Sequence, residues 1–170
     1  MILGFSTQLN GKSTYFIERI HKSLKSTYFN DSIGFSPIHV PKGFDFVMFP
    51  LLRSKHHTIR EDKTDRWQAG IKIDFFINCR QKNMFRFAPV LPVVSVQEIE
   101  VKHHLDYVSL FIDKIVYEVE VCETSKKIKS TNPVIEALVQ NDGFDTIEDF
   151  FAYFDKDFKG KIIHWTDLRY

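Results

Sequence analysis

Gly70-Ile71-Lys72-Ile73-Asp74-Phe75-Phe76-Ile77-Asn78 is the stretch that decides the fold. Ile71, Ile73, Phe75 and Ile77 fall on one side of a two-residue period; Lys72, Asp74, Phe76 and Asn78 fall on the other. That alternation predicts a β-strand with one face in a core. Downstream the β character continues. Arg80 to Asn83 reads as a hairpin turn, and Met84 to Val101 as a second long β segment. Pro89 and Pro92 within it predict a bend, a bulge or an edge position. His103 to Asp106 reads as the next turn. Tyr107 to Val121 reads as a third strand whose apolar set changes phase beyond Asp113-Lys114, which requires a bend there.

Working outward, Ile2 to Phe5 is a short apolar run that fits a strand, and Asn10-Gly11 is a turn signal. Ser13 or Thr14 is placed to cap a helix with an apolar stripe of Phe16, Ile17, Ile20 and Leu24, ending near Lys25. Residues 26–54 are broken by Pro37, Pro41 and Pro50 and carry Phe29, Phe35, Phe44, Phe46 and Phe49. They read as an irregular insertion packed by its own aromatics. On the C-terminal side, Glu123 to Thr131 is a polar loop. Asn132 caps a helix with Pro133 at its first position and Gly143 beyond its end. Thr146 caps a second helix that turns Ile147, Phe150, Phe151 and Phe154 inward, and Gly160 to Trp165 is a last strand. Strands in sequence with helices at the side specify the α+β class, with a mainly antiparallel sheet that closes on itself.

The chain has 170 residues, which fits one domain, 1–170, able to bury a sizeable core. Its 17 phenylalanines are expected mostly in that core. Its formal net charge is only +1, too small a basic excess for gripping extended duplex DNA. Cys79 and Cys122 sit in apolar runs without metal-ligand or redox spacing, so a reducing, cytoplasmic setting is expected. Met1 to Asn10 lacks the basic start and long apolar run expected of a signal peptide, and no apolar stretch approaches the length of a membrane span. The pairs His56-His57 and His103-His104 lack companions at ligand spacing, so neither metal nor cofactor is expected. Oligomeric state is not legible.

The segment richest in chemistry is Ser54 to Asp62, which gathers Lys55, Thr58 and Arg60 beside His56, His57, Glu61 and Asp62. In a flat strand Thr58 and Arg60 share a face, whereas Lys55 and Thr58 meet if the backbone makes a helical turn. The order Lys55-His56-His57-Thr58-Ile59-Arg60, then Trp67-Gln68-Ala69-Gly70, then the alternating strand resembles the signature of ASCH domains. The segment from Ala137 to Phe154, with Asp142-Gly143-Phe144 before a Phe-rich helix, resembles that family too, as does Gly160 to Trp165. The resemblance covers residues 54–170 and implies a PUA-like, mainly antiparallel β-barrel with flanking short helices.

Two functions follow from the resemblance. The first is binding of RNA or a modified nucleoside in a pocket around Lys55, Thr58 and Arg60, with His57, Lys63 and Trp67 as further ligand contacts. The alternative is an amidohydrolase that deacylates an N4-acylcytidine-type nucleoside. For that enzyme the family set maps onto Lys55, Thr58 and an acid at or near Asp142, one methylene shorter than the family's Glu; Glu136 is the weaker substitute. Thr58 would be the nucleophile, Lys55 its base if burial lowers its pKa, and Arg60 the partner of a developing oxyanion.

Overall fold

The computed structural model describes residues 1–24, 44–121 and 128–170. Its elements are β1 (Ile2–Phe5), β2 (Gln8–Leu9), β3 (Lys12–Ser13), α1 (Phe16–Ser23), a 3₁₀ turn (Phe49–Leu51), β4 (His57–Arg60), β5 (Lys72–Ile77), β6 (Phe85–Arg86), β7 (Leu91–Pro92), β8 (Ser95–His103), β9 (Tyr107–Ile112), β10 (Ile115–Val121), β11 (Ile128–Lys129), α2 (Pro133–Asn141), α3 (Ile147–Tyr153) and β12 (Phe158–His164).

The deciding stretch forms β5, with Ile73, Phe75 and Ile77 buried as the alternation requires. β1 pairs parallel to it, and β6 and β7 pair antiparallel to it. The six-stranded sheet runs β11-β10-β9-β8-β12-β4 and is antiparallel throughout. The expected second strand is three pieces. β6 and β7 stay with β5, and the chain then crosses into the larger sheet as β8. Pro89 falls in the break between β6 and β7, and Pro92 ends β7 opposite Lys72, just before the chain crosses.

Two expectations change. Asp113 and Lys114 do not bend one strand; both take positive φ, 46° and 74°, and make a two-residue hairpin turn between β9 and β10. Backbone twist favours this turn geometry even without glycine. Nor do the strands close into a barrel among the described residues. β4 pairs only with β12, and no ladder joins β4 to β1. That seam is bridged by a side chain: Arg60 Nη2 donates to the Gly4 carbonyl at 2.9 Å.

α1 ends at Ser23, with Phe16, Ile17 and Ile20 buried. Its polar side is buried as well, including Glu18, Arg19 and His21, so it is not a surface helix. It has no side-chain cap; Tyr15 enters it at φ 50°, and the Thr14 hydroxyl accepts weakly from the Phe16 N–H at 3.4 Å. α2 and α3 are capped as read, by Asn132 Oδ1 on the Val134 N–H and by Thr146 Oγ1 on the Asp149 N–H.

The core has two parts. One lies among β1, β5 and α1 and holds Phe5, Phe16, Phe75 and Trp165. The other lies between the large sheet and the α2–α3 pair and holds Ile99, Leu110, Leu138 and Phe150. Of the Phe-rich insertion, Phe29 and Phe35 lie outside the described residues. Phe44 is buried in the first core, with Phe46 and Phe49 at 4.9 and 5.3 Å between ring centres. Most of the polar loop Glu123 to Thr131, and Cys122, also lie outside; Cys79 is half-buried just past β5.

Candidate functional site

The site forms where the two cores meet. Lys55 precedes β4 in an extended segment pinned at both sides: its N–H donates to the Arg19 carbonyl of α1 at 2.9 Å, and the His56 N–H donates to the Asn141 carbonyl of α2 at 2.8 Å. This anchoring draws Lys55 inward until 1% of it is exposed. Its Nζ donates to Asp142 twice, to Oδ1 at 2.8 Å and to the backbone carbonyl, and lies 4.6 Å from the centre of the Phe16 ring.

Asp142 is where it is because α2 ends there. The Phe144 N–H returns to the Val139 carbonyl and the Gly143 N–H to that of Gln140, a closing pair that needs a left-handed residue. Gly143 supplies it at φ +89°. A side chain at 143 would also meet Phe16 Cε1 at 3.0 Å and Lys55 Cδ at 3.2 Å, so glycine is required twice over.

Thr58 and Arg60 share one face of β4, opposite Ile163 and Lys161 of β12. No helical turn links Lys55 to Thr58, yet both reach the same place. A pocket of about 250 Å³ is lined by Lys55, Thr58, Arg60 and Asp142, with walls from Phe16, Phe144 and Tyr153. The Thr58 hydroxyl makes no hydrogen bond to any described residue, and neither does Asp142 Oδ2. Arg60 is held rigidly over the Phe5 ring, 5.3 Å from its centre, by its bond to Gly4.

Electrostatics set the charge states. Burial lowers the Lys55 pKa most strongly; Asp142 raises it, Arg60 and Arg19 lower it, and the balance is about 8. Burial pushes Asp142 up, but the Lys55 ammonium and the His57 ring outweigh it and hold its carboxyl below the usual range. The pair is therefore a buried ammonium–carboxylate that gives up its proton near neutrality.

The other expected contacts fall elsewhere. His57 is fully buried on the opposite face of β4 from Thr58. Its Nδ1 is 3.5 Å from Asp142 Oδ1 and its Nε2 is 2.7 Å from the Tyr170 hydroxyl. Trp67 is 5% exposed in the first core and offers no face for a base to stack on. Lys63 is exposed and pairs with Glu61 at 3.1 Å. Glu136 lines a different pocket, with Ser130 and Thr146. Among the described residues no three His, Cys, Asp or Glu side chains group as metal ligands would.

Three residues at or behind the site carried no sequence signal. Arg19 is buried on α1, with Nη2 on Asp145 at 2.6 Å. His164 stacks edge-on to His57 with ring centres 5.1 Å apart. Tyr170 closes the far side. All three meet the site through contacts distant in sequence. No family model, curated protein or solved structure matches the chain. No helix among the described residues is long and apolar enough to cross a membrane.

Proposed function

We propose that this pocket hydrolyses the acyl–nitrogen bond of an acylated nucleoside of the N4-acylcytidine type, as the ASCH resemblance implies. The observation that carries this reading is a fully buried Lys55, paired with Asp142 and poised near neutrality, in one pocket with an unengaged threonine hydroxyl. Two of the three positions on Lys55 Nζ are taken by Asp142, which leaves the third for Thr58 and the substrate. With a pKa of about 8, roughly a tenth of Lys55 is neutral at pH 7, enough for a general base.

In this mechanism the neutral Lys55 amine takes the Thr58 proton as Oγ1 attacks the acyl carbon. Negative charge forms on the carbonyl oxygen, where Arg60 stabilises it. The C–N bond breaks, the Lys55 ammonium gives its proton to the departing amine, and the acyl group remains on Thr58 as an ester. Water then attacks the ester as Lys55 takes its proton; the acyl C–Oγ1 bond breaks, the Lys55 ammonium returns the proton to Thr58 Oγ1, and the carboxylic acid leaves and ionises. Asp142 keeps Nζ in place through both steps, and its free Oδ2 is available to an N–H of the base.

The pocket is at the small end for a ligand site, which suits one nucleoside better than a polymer. The balanced charge, the buried Trp67 and the Lys63–Glu61 pair point the same way. The fold side of the reading is a PUA-like barrel left open at the β1–β4 seam, with Arg60 as its bridge. The test is turnover of N4-acetylcytidine. Wild type should release cytidine and acetate, and Lys55→Ala should be slower by about a hundredfold or more. Hydrolysis that survives the substitution would sink the assignment.

A further inference from the structure

Behind the pocket a line of buried polar contacts runs away from Lys55. Asp142 Oδ1 receives Lys55 at 2.8 Å and lies 3.5 Å from His57 Nδ1; His57 Nε2 lies 2.7 Å from the Tyr170 hydroxyl. Tyr170 is fixed in turn. Its ring packs edge-on to His57, its N–H donates to Gln97 Oε1, and Gln97 Nε2 donates back to its carbonyl.

The proton positions follow from the partners. Asn141 Nδ2 donates to the Tyr170 oxygen at 3.1 Å, so that oxygen is already an acceptor there. The phenol proton has two candidate acceptors, the Ala137 carbonyl at 3.4 Å and His57 Nε2 at 2.7 Å. The shorter contact wins. Nε2 is then an acceptor, so the neutral ring carries its hydrogen on Nδ1, the atom facing Asp142. Burial keeps the ring neutral by lowering its pKa. The other tautomer would aim a lone pair at a carboxylate.

We propose that His57, with its tautomer fixed by Tyr170, is a positioning residue that turns its Nδ1–H towards Asp142 and so moderates, as an oriented dipole, the grip of Asp142 on Lys55. The proposal rests on the hydrolytic reading only for its consequence in catalysis. An N–H facing Oδ1 offsets part of the negative charge that Lys55 feels, and this favours the neutral amine. At 3.5 Å Nδ1 makes no hydrogen bond with Asp142, so the N–H acts on the carboxylate through its dipole, and the effect is a tuning of Lys55 and not the source of its pairing. The other charges in the neighbourhood are Arg60 and Arg19 on Lys55, His56 on His57, and Asp113 and Arg169 beside His164. None of them depends on which ring nitrogen of His57 is protonated.

The test is the titration of Lys55 itself, followed by NMR of its labelled side chain in the full chain. Tyr170→Phe keeps the ring packing and removes the hydroxyl. It should raise the Lys55 midpoint by about half a unit or more, because nothing then holds Nε2 as an acceptor and the Nε2–H tautomer, which puts no N–H on Asp142, gains population. His57→Leu should raise it likewise, and His57→Asn, whose amide N–H can stand where Nδ1–H stood, should bring it back towards wild type. On N4-acetylcytidine the same variants should lose about threefold in rate at pH 7 and recover at high pH. An unmoved or lowered midpoint in folded Tyr170→Phe overturns the proposal, and that variant suffices if His57→Leu does not fold. A midpoint that shifts as stated in a protein without turnover would refute the hydrolase reading alone.

Discussion

Lys55 is the residue on which stability and chemistry pull hardest against each other. A buried ammonium is tolerated only while its carboxylate stays beside it. Lys55→Met leaves Asp142 buried without a cation and should destabilise the fold by about 3–5 kcal/mol, whereas Lys55→Met with Asp142→Leu should recover most of that loss. Urea denaturation of the two single variants and the double variant measures the coupling. Lys55, Thr58, Arg60 and Asp142 were legible in the sequence because a motif and a helix end marked them. His57 was legible as a neighbour but not in its direction, since only the β4 register shows that it faces away from Thr58. Trp67, named as a ligand contact, has its ring buried in the core instead. Arg19 and Tyr170 bore no local mark.

Among the elements, β12 matters most to the site because it holds β4, and with it Thr58, in place. A Cβ at Gly160 would collide with the Arg60 backbone carbonyl, which cannot move without opening that pairing. Gly160→Ala should therefore lower stability by more than about 1 kcal/mol and speed hydrogen exchange at the β4 amides before those of β9 and β10. The opposite sign is expected at the β9–β10 hairpin. Lys114 sits at φ 74°, which a glycine adopts without strain, so Lys114→Gly should stabilise by about 1 kcal/mol, read as a rise in urea midpoint. The turn escaped sequence reading because neither Asp113 nor Lys114 is a turn glycine or asparagine. The alternation in β5 and the caps of α2 and α3 were readable because each is a local rule obeyed locally. The path from β6 to β8 was only half readable: the prolines marked a break, but which sheet each piece joins is settled by distant partners.

At the scale of the whole molecule, buried titratable groups make stability depend on pH in a defined order. His164 is neutral in the fold, its pKa lowered to about 3 chiefly by burial against an ordinary 6.5. Its contribution is complete above pH 6.5 and is lost as the pH falls towards 3, because the unfolded chain takes the proton first. Lys55 titrates at about 8 in the fold and 10.5 when free, so stability should climb between those values as the burial penalty of its charge disappears. Tyr170 has its pKa raised by burial above the ordinary 10.0, which turns the curve down beyond about pH 10. Stability should thus peak on the alkaline side of neutrality, and Lys55→Met should remove the rise above pH 8; urea midpoints from pH 5 to 10 test both. The α+β class and the mainly antiparallel sheets were legible from periodicity. The open seam between β1 and β4 was not, since strand closure depends on the pairing of segments far apart in the chain.

The central claim is that Thr58, served by Lys55, accepts an acyl group. Mass spectrometry of the protein quenched during turnover of N4-acetylcytidine addresses it directly. The peptide containing Thr58 should carry one acetyl group at that residue in wild type, and none in Lys55→Ala. Cytidine release with Thr58 never acetylated, or release undiminished in Thr58→Ala, would contradict the account.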